Sequence, residues 1–143
     1  LRLHAHIGEL ETARASAAMV DRDRRLWVAY GGTRAGLLPD GDGPFQPLSG
    51  ERIGTAQIYD FFEDREGHIW VAGAAGLSRR SGDRAAFAGR EQGLPAGGAY
   101  AVTQDDRGDL WLATAIGLVR FESEQFDRVA EDPTYVLRLR VYD

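Results

Sequence analysis

A chain of 143 residues with 43% hydrophobic and 27% charged residues is long enough to bury a core and has the balance of a globular protein. The net charge of −5 and pI near 5.2, with every basic residue an Arg, argue against nucleic acid as a partner and against direct contact with an anionic membrane surface. The absence of Cys removes disulfides, thiol catalysis and thiolate metal sites, and no apolar run reaches the ~18 residues of a membrane helix.

Residues 1–6 (LRLHAH) alternate apolar and polar and lack the apolar stretch of a signal peptide, so they read as a strand. His4 and His6 would share one face of it. Paired His can hold zinc or copper, but further ligands are needed, and His68 lies in a distant turn. Both are taken as exposed strand residues, and no metal or cofactor is expected. Residues 9–19 are rich in helix-friendly Ala and Glu, but the last of them fall in the first strand of a repeat that organises the remaining chain.

Trp27, Trp70 and Trp111, spaced 43 and 41 residues apart, mark that repeat. The phrases around them are VDRDRRLWVAYGG (20–32), EDREGHIWVAGAAGL (63–77) and QDDRGDLWLATAIGL (104–118). Asp21, Asp64 and Asp105 stand six residues before each Trp. Short alternating segments at residues 58–63 and 100–104 suit strands with a buried side. The Asp-x-x-Gly that follows supplies a turn, because Asp bonds its own backbone and Gly67 or Gly108 accepts positive φ. Arg24 occupies that Gly position in the first copy, which predicts a turn formed differently or under strain. A second strand carries the Trp. A third begins at Gly36-Leu37, Gly76-Leu77 and Gly117-Leu118, the first displaced by an insertion at residues 33–35, and a fourth carries Phe45, Phe87 or Phe126.

Four short strands per ~40–45 residues with one Trp each predict an all-β chain, a partial β-propeller of about three four-stranded blades. The blades are expected at about 17–54, 55–95 and 96–135, with 1–16 and 136–143 as flanking strands of adjacent blades. Both ends read as cut. Three blades leave raw sheet edges, so a homo-oligomer is expected, two copies closing a six-bladed ring being the simplest arrangement.

The run Glu63-Asp64-Arg65-Glu66-Gly67-His68-Ile69-Trp70-Val71 with Gly76-Leu77-Ser78-Arg79 resembles the two-component regulator propeller repeat, as do residues 104–120. Gly93-Leu94-Pro95 resembles the family's link between blades, and residues 137–143 a strand leading into another. The resemblance spans residues 17–143. It implies a sensor region on the periplasmic side of a membrane-anchored bacterial receptor, whose histidine kinase or other output module would lie outside this chain.

Candidate chemistry is sparse. The carboxylates Asp21/Asp23, Asp64/Glu66 and Asp105/Asp106/Asp109 could hold a hard cation, but their repetition at one turn fits capping better. The Trp residues could stack on sugars, but repetition points to filling the space between blades. Propeller lyases of the streptogramin-degrading type share the architecture, yet no segment matches such a site, and no nucleophile elbow, P-loop or Rossmann run is present. No catalytic residue is assigned. The end face of the ring remains: Tyr59 and Tyr100 are equivalent by register, Arg34 protrudes from the blade-one insertion, and Arg52 precedes the first strand of blade two. These four would contact a saccharide or small anionic ligand; packing of the Tyr between blades and solvation of both Arg is the competing reading.

Overall fold

The computed structural model describes residues 14–39, 44–48 and 56–143; the expectations placed on residues 1–13, His4 and His6 included, and on Arg52 lie outside them. Among the described residues twelve strands form three antiparallel sheets, each in simple chain order. Blade one comprises β1 (Ala15–Val20), β2 (Leu26–Tyr30), β3 (Arg34–Leu38) and β4 (Gln46–Pro47). Blade two comprises β5 (Ile58–Glu63), β6 (Ile69–Gly73), β7 (Gly76–Ser81) and β8 (Arg84–Ala88). Blade three comprises β9 (Ala101–Gln104), β10 (Asp109–Thr114), β11 (Gly117–Glu122) and β12 (Arg140–Tyr142). The first strands β1, β5 and β9 touch in succession, so each sheet packs against the next from its inner edge outward.

Alternation sorts the side chains between two cores. On β6, Ile69 and Val71 join Trp27, Ala29 and Phe61 between blades one and two. Trp70 and Ala72 point the other way, into a larger core with Leu110, Leu112, Val119 and Phe121 of blade three. All five residues of β6 are therefore buried, which is why its sequence runs apolar without interruption. Each fully buried large side chain contributes roughly 2–3 kcal/mol.

One short α-helix, α1 (Gln125–Glu131), corrects the expectation that Phe126 lies on a fourth strand. Phe126 and Val129, three residues apart, share a helical face and enter the core, where the Phe126 ring meets Trp70 edge-on at 4.7 Å. A seven-residue helix offers too short a period to stand out in the sequence. The fourth strand of this sheet is β12, which pairs with β11 through Leu118–Tyr142, Val119–Val141 and Arg120–Arg140. Residues 140–142, read from sequence as part of a strand of an adjacent blade, thus belong to blade three.

A second correction concerns register. Cross-strand pairing matches Arg34 to Tyr30, Gly76 to Gly73 and Gly117 to Thr114. Arg34, not Gly36, is therefore the equivalent of Gly76 and Gly117. In those two copies a Cβ would collide with the backbone of the fourth strand, which explains the Gly there; blade one, with a longer turn and a two-residue β4, accepts Arg.

Candidate ligand-binding site

Two ends of each blade carry different features. At one end, β1, β5 and β9 run into the Asp turns. The Asp21 Oδ1 accepts the backbone N–H groups of Asp23 and Arg25 at 2.9 and 3.0 Å, and Oδ2 accepts the Trp27 indole N–H at 2.8 Å. Asp64 does the same for Glu66, His68 and Trp70, and Asp105 for Arg107, Asp109 and Trp111. A further side-chain contact differs in each copy: Arg25 at 2.7 Å, His68 Nδ1 at 3.1 Å and Arg120 at 3.7 Å.

These bonds decide the charge state. Burial pushes Asp21 and Asp64 up, but the Trp hydrogen bond and then the backbone and side-chain partners outweigh it, leaving both below the ordinary carboxylate value. The Trp111 bond likewise holds Asp105 low. Arg24, where the other copies have Gly67 and Gly108, takes the same left-handed conformation at φ 63°, so the turn is unchanged and the strain falls on one Arg. The carboxylates are thus consumed in holding turn to indole. His68 is one of their partners, at the opposite end of β5 from Tyr59.

The residues after Asp21 and Asp64 then reach the next blade. Arg22 donates from its backbone to Glu63 at 2.9 Å and from its guanidinium to the Asp64 carbonyl at 2.8 Å. Arg65 repeats both contacts on Gln104 and the Asp105 carbonyl.

At the other end stands Tyr59. The pairing of β5 with β6 slips between Ile58 and Asp60, and this bulge frees Tyr59 from the ladder. Tyr100 enters β9 from a link whose Gly97 and Gly98 both have positive φ; at Gly98 any Cβ would strike the Gly73 and Ala74 backbone. The two rings meet at 5.4 Å, tilted by 57°, and Tyr100 is 46% exposed. Of the four residues proposed from sequence, the structure brings these two together. Arg34 lies over the ring of Tyr30 at 5.0 Å instead.

Sequence reasoning passed over Asp60, which stands where blades one and three carry Ala17 and Ala101. Its Oδ2 accepts the Val102 N–H at 3.0 Å, bridging the inner strands, and burial pushes its carboxyl above the ordinary range. The only signal was an acid set between the aromatic residues Tyr59 and Phe61. A ring face, phenol hydroxyls and a carboxyl on neighbouring inner strands can stack on a ligand ring and exchange hydrogen bonds with its hydroxyls.

Two clefts lie elsewhere. One, of about 790 Å³, runs between the β7–β8 hairpin and α1; the other, of about 390 Å³, gathers Arg107, Arg120, Arg138 and Arg140. Among the described residues no group of three or more His, Asp or Glu is placed to hold a metal ion.

Three side-by-side four-stranded sheets joined through their inner strands define a segment of a β-propeller. Residues 53–75 match the model of the two component regulator propeller family, so the chain carries that repeat. No match was found among curated proteins. Among solved structures, the extracellular domain of a hybrid two component system from B. thetaiotaomicron is similar, with 15% identity and a TM-score of 0.71 over 92% of this chain and 19% of that one. Virginiamycin B lyase from Staphylococcus aureus is similar with 14% identity and a TM-score of 0.64, over 90% of this chain and 41% of that one. The chain thus spans under half of either, and at these identities the likeness is one of fold. No helix among the described residues is long and apolar enough to cross a membrane.

Proposed function

We propose that this chain is a sensing or interaction segment in the extracytoplasmic region of a bacterial two-component receptor, and that its blades bind rather than catalyse. The family repeat and the likeness to an extracellular receptor domain support the setting. The observation that carries the binding role is the Tyr59–Tyr100 pair, one ring of it exposed, on adjacent inner strands. A saccharide fits this pair best: its ring stacks on the exposed phenol while its hydroxyls meet the tyrosine oxygens. His68, the one described His, is bonded to Asp64 in a corner turn, at the opposite end of β5 from the tyrosine pair.

Titration calorimetry with neutral and uronic-acid oligosaccharides tests the reading. Tyr100→Ala is expected to weaken the best binder at least tenfold, and Asp105→Asn, at the far end, to leave it unchanged. Binding untouched by both Tyr59→Ala and Tyr100→Ala removes the assignment.

A further inference from the structure

Two elements share the covering of blade two on the side that faces blade three. The first strand of blade three, β9, packs against β5 and β6, while α1 lies on the outer strand β8. Phe126 of α1 meets Trp70, and the next residue, Asp127, pairs with Arg79 at 2.9 Å. Asp127 and Glu131, one helical turn apart, line the cleft whose other wall carries Arg79 and Arg84. Under this cover Trp70, Leu77 and Ala88 are wholly buried, and Ala86 is nearly so.

Blade three presents the same face on its far side, but exposed. Register makes Trp111 and Arg120 the equivalents of Trp70 and Arg79, and Leu118 and Tyr142 those of Leu77 and Ala88. Leu118 is 49% exposed and Tyr142 36%, and Trp111, stacked on Tyr142 at 5.2 Å, is only half-buried. Positive charge has been added to this face. Arg140 stands where Ala86 lies under α1, and Arg107 takes the turn position that Asp23 and Glu66 hold in the other copies. Arg107, Arg120, Arg138 and Arg140 share the cleft of about 390 Å³ with two carboxylates, Asp109 and Glu122. Arg120 takes Asp109 at 2.8 Å; among the described residues the other three arginines have no carboxylate partner. A chain of net charge −5 thus keeps a surplus of positive charge beside exposed aromatic and aliphatic surface, at the place where its own acidic helix docks one blade earlier.

We infer that this outward face of blade three docks a short acidic helix of the α1 type, with an aromatic residue followed by an aspartate and a second acid one turn on. The aromatic residue meets the Trp111–Tyr142 stack, and the carboxylates pair with the unpartnered arginines, leaving the Arg120–Asp109 bridge intact. Arg140 in place of Ala86 asks for at least as much acid as α1 supplies to blade two. This surface is separate from the tyrosine pair and stands without it.

The probe is α1 itself, as a synthetic peptide of residues 123–132. So short a helix is marginal alone, so a side-chain lactam joins Glu124 to position 128 (Arg128→Lys), both exposed in the chain. Trp27 and Trp70 are 4% and 0% exposed, so acrylamide quenching of the full chain reads Trp111. The peptide should shield that indole, and calorimetry should give saturable binding that sodium chloride weakens. Arg140→Glu and Arg107→Glu should each weaken it at least tenfold. Arg107→Glu restores the charge that Asp23 and Glu66 carry at this turn, so it tests binding without loss of fold. A peptide with Asp127→Asn and Glu131→Gln should bind no better than a scrambled one. No wild-type binding at millimolar peptide overturns the proposal, whether Trp111 is open to acrylamide or already shielded by a second copy of the chain. So does equal binding of the scrambled peptide, or binding unchanged in both Arg140→Glu and Arg107→Glu.

Discussion

Replacing Asp64 with Ala isolates the device that recurs in every blade. Its side chain is 2% exposed and receives the N–H groups of Glu66 at 3.0 Å and His68 at 2.9 Å on one oxygen, and that of Trp70 at 2.8 Å on the other. The Trp70 indole is wholly buried, so its N–H finds no water when the acceptor goes, an orphaning worth about 2 kcal/mol. The two backbone donors lie nearer the surface, and losing a charged acceptor costs about 1 kcal/mol each once water has replaced it. The total is about 4 kcal/mol, a large part of the ~5–15 kcal/mol that holds a domain together. Asp64→Asn keeps an oxygen for the backbone pair but sets an amide N–H against the indole, and should lose about half as much. Urea unfolding at pH 7 reads both, the Ala variant moving the midpoint by about 2 M for a slope near ~2 kcal/mol per M. Asp105→Ala should cost clearly less, because that side chain is 27% exposed and water can stand in. An Asp64→Ala loss under ~1 kcal/mol, or equal losses at Asp64 and Asp105, refutes the reasoning.

Other outcomes follow from the same geometry. Arg24→Gly should raise stability by about 1 kcal/mol in urea, since Arg24 holds φ 63° where Gly67 and Gly108 stand in the other turns. Asp21, Asp64 and Asp105 have lowered pKa values, so their contribution is complete above pH 3.8 and is lost as pH falls from there through their folded values; midpoints measured between pH 7 and 2 should decline below that point. Asp60 has the opposite sign: its raised pKa means that ionisation costs stability as pH climbs past 3.8. Asp60→Asn should therefore gain on wild type at pH 7 and match it at pH 3, and a constant offset at both values contradicts the assignment. The expected homo-oligomer would cover Leu118 and Tyr142, which are exposed on blade three; light scattering at micromolar concentration should then give more than one chain's mass, reduced by Leu118→Asp, and a clean monomer ends the idea.

How much of this could be read beforehand depends on whether a feature repeats. Asp, Trp and the intervening turn recur at fixed spacing, so blades and corner turns were legible from three copies together. Features that occur once were not. Helix α1 has two apolar anchors, Phe126 and Val129, and no second copy to mark it as an exception. The Arg34 register was misread because Gly36 precedes a Leu, as Gly76 and Gly117 do; only cross-strand pairing shows that Gly36 lies two places further along. The juxtaposition of Tyr59 and Tyr100 was legible because they fall at the same offset from their Asp. Asp60 was missed because the same offset holds Ala in the other blades.

That contrast also separates the chain's structural surface from the one proposed to bind. At the turn end the copies agree, and their polar groups are engaged: each Asp in its own Trp, and Arg22 and Arg65 in the carbonyls of the following blade. A ligand there would have to displace charge-assisted bonds that hold blade to blade, at a cost comparable to unfolding a corner. At the opposite end the copies differ, with Ser16, Tyr59 and Tyr100 at one position, and Ala17, Asp60 and Ala101 at the next. Ser16 bonds the Ile58 carbonyl at 3.0 Å, and Asp60 the Val102 amide, so small side chains knit the inner strands while the two large rings are left to each other and to solvent. Tyr59 and Tyr100 can therefore be exchanged without breaking a joint between blades. This freedom would let a repeated scaffold acquire the proposed ligand at its axial end while its corners stay the same.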